Sequence, residues 1–160
     1  MRNRKGFTLV EMLIVMVIIA ILAAIVLPRI LAARQKANEA NARSTLEGLR
    51  KGVKEFESDM GFYPAELTDV VLAPGGTPAA GKVWGGASAG WQDFTGVVDT
   101  DSYRGPYVEV QTAGELPANK LTGGNAIGAD WQYDLTNQHS VMMGTAATGT
   151  DTTGIPYGEW

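Results

Sequence analysis

Residues 5–33, KGFTLVEMLIVMVIIAILAAIVLPRILAA, decide how this chain is built. Met12 to Leu27 is unbroken apolar, and with Phe7–Val10 before it and Ile30–Ala33 after it the stretch reaches the roughly 20 residues that a hydrocarbon core asks of a spanning helix. The segment is therefore expected to enter a membrane. One acid, Glu11, stands near its start, where an unpaired carboxylate costs on the order of several kcal/mol and needs a partner. Arg2, Arg4 and Lys5 crowd the flank before Phe7, so the positive-inside rule sets the start of the chain in the cytoplasm and the bulk outside. A secretory signal would show a shorter apolar core and an A-x-A-like cleavage site; here Gly6 is the one small residue closing the basic leader.

Working outward, Pro28 lacks the N–H that an internal helical turn uses, so a bend or loosening is expected over the preceding turn. Beyond it the helix is expected to continue to about Met60 and to become amphipathic. Ala42, Leu46, Leu49, Val53, Phe56 and Met60 recur at steps of four and three and form one stripe that needs a cover. Glu39 with Arg43, Glu47 with Lys51 and Lys51 with Glu55 stand four apart on the solvated sides, each pair contributing about 0.3 kcal/mol. Gly48 and Gly52 each cost about 1 kcal/mol inside a helix, and stand either for close approach, for bending or for tolerated weakness. Gly61 and Pro64 close the helix.

After a short helical turn over Ala65–Leu72, the chain reads as loop from Ala73 to Arg104, punctuated by Pro74, Gly75-Gly76, Pro78 and Gly85-Gly86, with Trp84, Trp91 and Phe94 pinning it to the body. Alternation then predicts strands over Gly105–Val110, Asp130–Leu135 and Gln138–Met143, the last two as a hairpin about Thr136-Asn137. Their apolar face is expected to cover the stripe, giving one α+β domain over residues 34–160. The tail, Gly144–Trp160, is rich in Gly and Thr, and Trp160 is expected to dock back on the sheet.

Composition excludes much chemistry. The chain has no cysteine, which removes disulfides, thiolate catalysis and thiolate metal sites. His139 is the only histidine, so a multi-histidine zinc site is ruled out, and Ser44, Ser58, Ser88, Ser102 and Ser140 lack a nucleophile-elbow context. No catalytic constellation emerges, and the expectation is a protein that is not an enzyme. With 13 basic and 17 acidic residues the formal charge is −4; removing the three basic residues of the leader leaves 10 against 17, a charge of about −7. That acidity disfavours nucleic acid as a partner, because such binding rests on neutralising phosphates.

The run Lys5-Gly6-Phe7-Thr8-Leu9-Val10-Glu11, followed by the apolar stretch and Pro28, resembles the prepilin leader and N-terminal helix shared by type IV pilins and the pseudopilins of type II secretion. Glu57–Pro64 is similar to the pseudopilin helix end, where a Gly-x-Tyr-Pro segment closes the helix. The resemblance implies a pilin-like fold: a leader at 1–6, a membrane and filament-core helix at 7–33, and a globular domain at 34–160 with a small antiparallel sheet. It also implies cleavage between Gly6 and Phe7 by a prepilin peptidase, N-methylation of Phe7, and pairing of Glu11 with the N-terminal amine of a neighbouring subunit. The partners it implies are like subunits, membrane lipid before assembly, and an inner-membrane assembly platform with its ATPase.

Absence of cysteine departs from the disulfide loop of many type IV pilins and moves the reading toward pseudopilins, whose major members resemble this chain in length of tail. In those proteins an Asp-bearing, Gly-rich C-terminal loop holds calcium; here Asp151 matches one ligand, while Gly144–Thr148 lacks the earlier acid. Asp99, Asp101, Asp130 and Asp134 are expected as turn and strand-end acids. The function expected is that of a structural filament subunit, inserted in the bacterial inner membrane with a cytoplasmic N-terminus and then moved to a periplasmic or extracellular fibre. The alternative is a minor pilin that binds a surface, cargo or DNA at a filament tip through the aromatic Gly-rich loop.

Overall fold

The computed structural model describes residues 7–84, 91–134 and 140–160. The chain divides into two units, one ending at Ala37 and one running from Asn38 to Trp160. A single helix, α1 (Leu9–Met60), supplies the first unit and opens the second. Its assignment runs unbroken through Pro28, so the loosening expected there does not interrupt the helix. Gly61 ends it in the left-handed region, at φ +75°, donating to the Glu57 carbonyl at 2.8 Å.

In the second unit the predicted stripe is the core. Ala42, Leu46, Leu49, Val53 and Phe56 are buried, and Met60 packs partly buried at its end. Phe56 is the hub, with Phe62, Tyr103 and Tyr107 set edge-on around it at 5.7, 6.2 and 5.8 Å between ring centres. The Tyr103 hydroxyl lies 3.1 and 3.0 Å from the Asp69 and Leu72 carbonyl oxygens, and burial pushes its pKa up to about 12. A short 3-10 segment, Leu67–Val71, occupies the turn expected there. Its Asp69 accepts from the Glu66 N–H at 3.0 Å and the Ala79 N–H at 3.3 Å, and burial raises its carboxyl above the ordinary range.

The β structure is smaller and differently arranged than its alternation predicts. Among the described residues two separate two-stranded antiparallel sheets form: β1 (Lys82–Trp84) with β2 (Trp91–Asp93), and β3 (Trp131–Tyr133) with β4 (Val141–Met143). In the second, Trp131 faces Met143 and Tyr133 faces Val141, as the predicted hairpin requires; its turn and Leu135 and His139 lie outside the described residues. The first pairs Lys82 with Asp93 inside a stretch read from sequence as loop, and their side chains form an ion pair at 2.7 Å.

The strand predicted over Gly105–Val110 does not form. Pro106 has no N–H to give a ladder, and the next N–H is spent elsewhere: Tyr107 donates to the Val70 carbonyl. The segment instead lies against α1, where a Cβ at Gly52 would come 2.5 Å from Val108 Cγ2 and 3.4 Å from the Tyr107 carbonyl oxygen. Gly52 is thus a close-approach glycine, and the chain that approaches is its own. Gly48 has nothing within 4 Å of such a position.

Candidate functional site

At the start of α1, Thr8 occupies the N-cap and Glu11 the third helical position. The Glu11 carboxylate accepts from both the Thr8 N–H and its hydroxyl, each at 2.8 Å, while the Thr8 hydroxyl accepts from the Glu11 N–H at 3.2 Å. This reciprocal box satisfies donors that a helix start otherwise leaves open. Glu11 therefore has a partner within its own chain, which the apolar context alone did not reveal. The signal was present in the Thr-x-x-Glu spacing. Following it, every large apolar side chain from Phe7 to Leu31 is at least 44% exposed. The helix is long and apolar enough to cross a membrane by length and composition. Gly6, on the other side of the expected cleavage junction, lies outside the described residues.

The second assembly of functional groups joins α1 to the tail. Asp151 is buried, its side chain 2% exposed, and its Oδ1 accepts from the Thr153 hydroxyl at 2.6 Å, the Thr153 N–H at 2.8 Å and the Ile155 N–H at 3.0 Å. Its Oδ2 pairs with the Arg43 guanidinium. The Thr153 hydroxyl does most to lower its pKa; burial opposes this, and the Ile155 and Thr153 N–H groups and Arg43 reinforce it, holding the carboxyl at about 2. One turn earlier on the helix, buried Glu39 accepts from the Thr152 N–H and hydroxyl at 3.1 and 2.9 Å and from the Tyr157 hydroxyl at 3.2 Å.

Two of the ion pairs expected along α1 are accordingly replaced. Glu39 and Arg43 both turn to the tail, and Glu47 bonds Arg50 at 2.9 Å instead of Lys51; Lys51 does pair with Glu55, at 3.2 Å. Trp160 docks on the helix: the Arg43 guanidinium sits 4.1 Å over its ring, Arg50 Nη2 donates to its main-chain oxygen at 2.7 Å, and Tyr157 packs edge-on at 4.9 Å. Glu39 stands three residues before Ala42, on the line of the buried stripe, so its inward face was legible in the spacing. Arg43 gave no such signal, because its partner is 108 residues away.

Of the aromatic residues in the Gly-rich stretch, Phe94 stacks on Phe62 at 4.5 Å and Trp91 sets its edge against Tyr63 and Trp84, both at 5.1 Å. These two pin the segment as expected, while Trp84 is 57% exposed. Residues 85–90, with Gly85-Gly86 and Ser88, lie outside the described part. Asp99 caps the 3-10 turn Thr100–Ser102 through the Asp101 N–H, and Asp130 accepts from the Ala126 N–H at 2.8 Å, both as turn acids.

Residues 1–27 match the family model described as the prokaryotic N-terminal methylation motif. The chain is also similar to the type IV wide pilus major component PilA4 of Thermus thermophilus, 42% identical over 80 residues that cover 49% of this chain and 61% of that protein. Type II secretion system core protein G of Klebsiella pneumoniae is 32% identical over 83 residues, 50% of this chain and 59% of the relative. Type IV major pilin protein PilA of Myxococcus xanthus is 37% identical over 73 residues, 46% of this chain and 33% of the relative. The chain thus spans between a third and three fifths of the length of these curated relatives. No solved structure is significantly similar to it.

Within the methylation motif, the Thr8–Glu11 box and the exposed apolar helix are the features with a chemical use. The box holds an anion at the positive end of a helix. The relatives named are pilus and secretion-system components.

Proposed function

We propose that this chain is a structural subunit of a helical type IV pilus-like filament, a type IV pilin or a type II secretion pseudopilin. The observation that carries the reading is the methylation motif at 1–27 opening a helix whose large apolar side chains as far as Leu31 are left exposed by the described residues. In lipid that helix is satisfied. In a fibre the same side chains bury against neighbouring helices, and head-to-tail contacts that do not close extend into an open helix. Prepilin peptidase cleaves between Gly6 and Phe7, and the new amine of Phe7 is methylated. Glu11 leaves Thr8 for the Phe7 amine of a neighbour, so only one axial offset satisfies both charges.

On this reading the N-terminus begins in the cytoplasm, the Asn38–Trp160 unit lies beyond the inner membrane, and an assembly platform with its ATPase extracts the subunit. The chain carries out no catalysis. The relatives' names, with a wide pilus major component and a major pilin among them, favour a fibre subunit over a tip binder. Substituting Glu11 by Val tests the mechanism: membrane insertion is retained and filament yield falls, and a normal yield would refute the role given to Glu11.

A further inference from the structure

The tail of this chain is similar to a loop that in major pseudopilins holds calcium, and Asp151 is its one matching acid. The residues present do not fit that ion. Calcium takes 6 to 8 oxygen ligands, carboxylates and carbonyls with lone pairs to spare. Here the two buried carboxylates, Asp151 and Glu39, are taken up by donors. Asp151 takes the Thr153 hydroxyl, two peptide N–H groups and Arg43; Glu39 takes the Thr152 N–H and hydroxyl and the Tyr157 hydroxyl.

Five carbonyls of the loop are engaged as well. Those of Gly149, Asp151, Ile155, Pro156 and Tyr157 accept from the N–H groups of Tyr157, Gly154, Asp151, Glu159 and Trp160. Among the described residues no group of three or more His, Cys, Asp or Glu side chains is placed to hold a metal ion. A lining of N–H and O–H groups aimed at two anions is the inverse of a cation cage, in which oxygens converge on the ion.

We propose that Arg43 supplies from within the chain the positive charge that a metal would otherwise bring, and that the tail from Asp151 to Trp160 latches onto α1 without calcium. The guanidinium suits both tasks it performs: one edge reaches the Asp151 carboxylate and the plane covers the Trp160 ring, 4.1 Å from its centre. An ammonium has no such plane, so lysine keeps the charge and loses the stacking. Arg43 is a positioning residue for the tail, independent of any role of the chain in a filament.

The test is thermal unfolding of the full-length detergent-solubilised chain in EDTA and in excess calcium, together with the tryptophan emission spectrum and equilibrium dialysis against calcium alone. Metal-free latching predicts the same midpoint in both solutions and no stoichiometric retention of the ion, since a ligand that binds only the folded state must raise the midpoint. Arg43→Ala is expected to lower the midpoint, shift the emission as Trp160 loses its cover, and release the tail to proteolysis, with no recovery on adding calcium. Arg43→Lys is expected to regain part of the midpoint and little of the emission change. A midpoint that falls on chelation, or one calcium retained per chain, overturns the proposal. If Arg43→Ala fails to fold, the wild-type chelation and dialysis measurements decide alone.

Discussion

Thr8 and Glu11 satisfy each other's polar groups across the first turn of α1, with both Thr8 donors 2.8 Å from one Glu11 oxygen. An acid that the apolar sequence leaves without a counter-charge is thereby held at the helix N-terminus, where the helix dipole favours it. Replacing Thr8 by Val removes the hydroxyl from both sides of the box and is expected to cost the helix start about 1 kcal/mol. Amide hydrogen exchange at Glu11 and Met12 checks this; equal protection in wild type and variant would show that the box does not hold the turn.

The latch of the tail is expected to fail in acid. Because the folded carboxyl of Asp151 is held down at about 2, its contribution is fully present above the unfolded value near 4 and is lost as pH falls from there through about 2. Unfolding midpoints across that window should fall more steeply in wild type than in Asp151→Asn, which no longer titrates. Parallel curves would remove Asp151 from the account.

The two glycines inside α1 separate cleanly by what faces them. At Gly52 an added methyl meets Val108 and the Tyr107 carbonyl, so Gly52→Ala is expected to destabilise by about 1–3 kcal/mol through overpacking. At Gly48 nothing is met, and Gly48→Ala is expected to stabilise by up to about 1 kcal/mol from helix propensity. Chemical denaturation of both variants reads the sign directly, and two changes of the same sign would contradict the packing described.

Phe56 carries the core against three aromatic rings that come from outside α1. Phe56→Ala is expected to cost about 3–5 kcal/mol, as buried aromatic truncations do. A loss below about 1 kcal/mol would mean that the aromatic cluster is not the centre of this unit.

What the residues disclosed follows the range of the interaction. The helix to Met60, its buried stripe, its glycine cap and the hairpin of β3 with β4 all rest on local periodicity or on turn residues, and each is where the pattern puts it. The Gly105–Val110 segment alternates like a strand, yet it packs on α1 and its Tyr107 N–H goes to the Val70 carbonyl, which periodicity does not register. Likewise, the spacing of Glu39 and Arg43 on one helix suggests a pair, but partners more than 100 residues downstream outcompete it. Thr8 was legible as half of a capping box and was obscured by the larger signal of the apolar run.

The central claim, that this chain is a processed filament subunit, is tested most directly by mass spectrometry of its N-terminal peptide in sheared surface filaments and in the washed cell envelope. The account predicts a peptide that begins at Phe7 and is methylated there, abundant in filaments for a major pilin or kept in the envelope for a pseudopilin. An intact peptide beginning at Met1 in both fractions would contradict it.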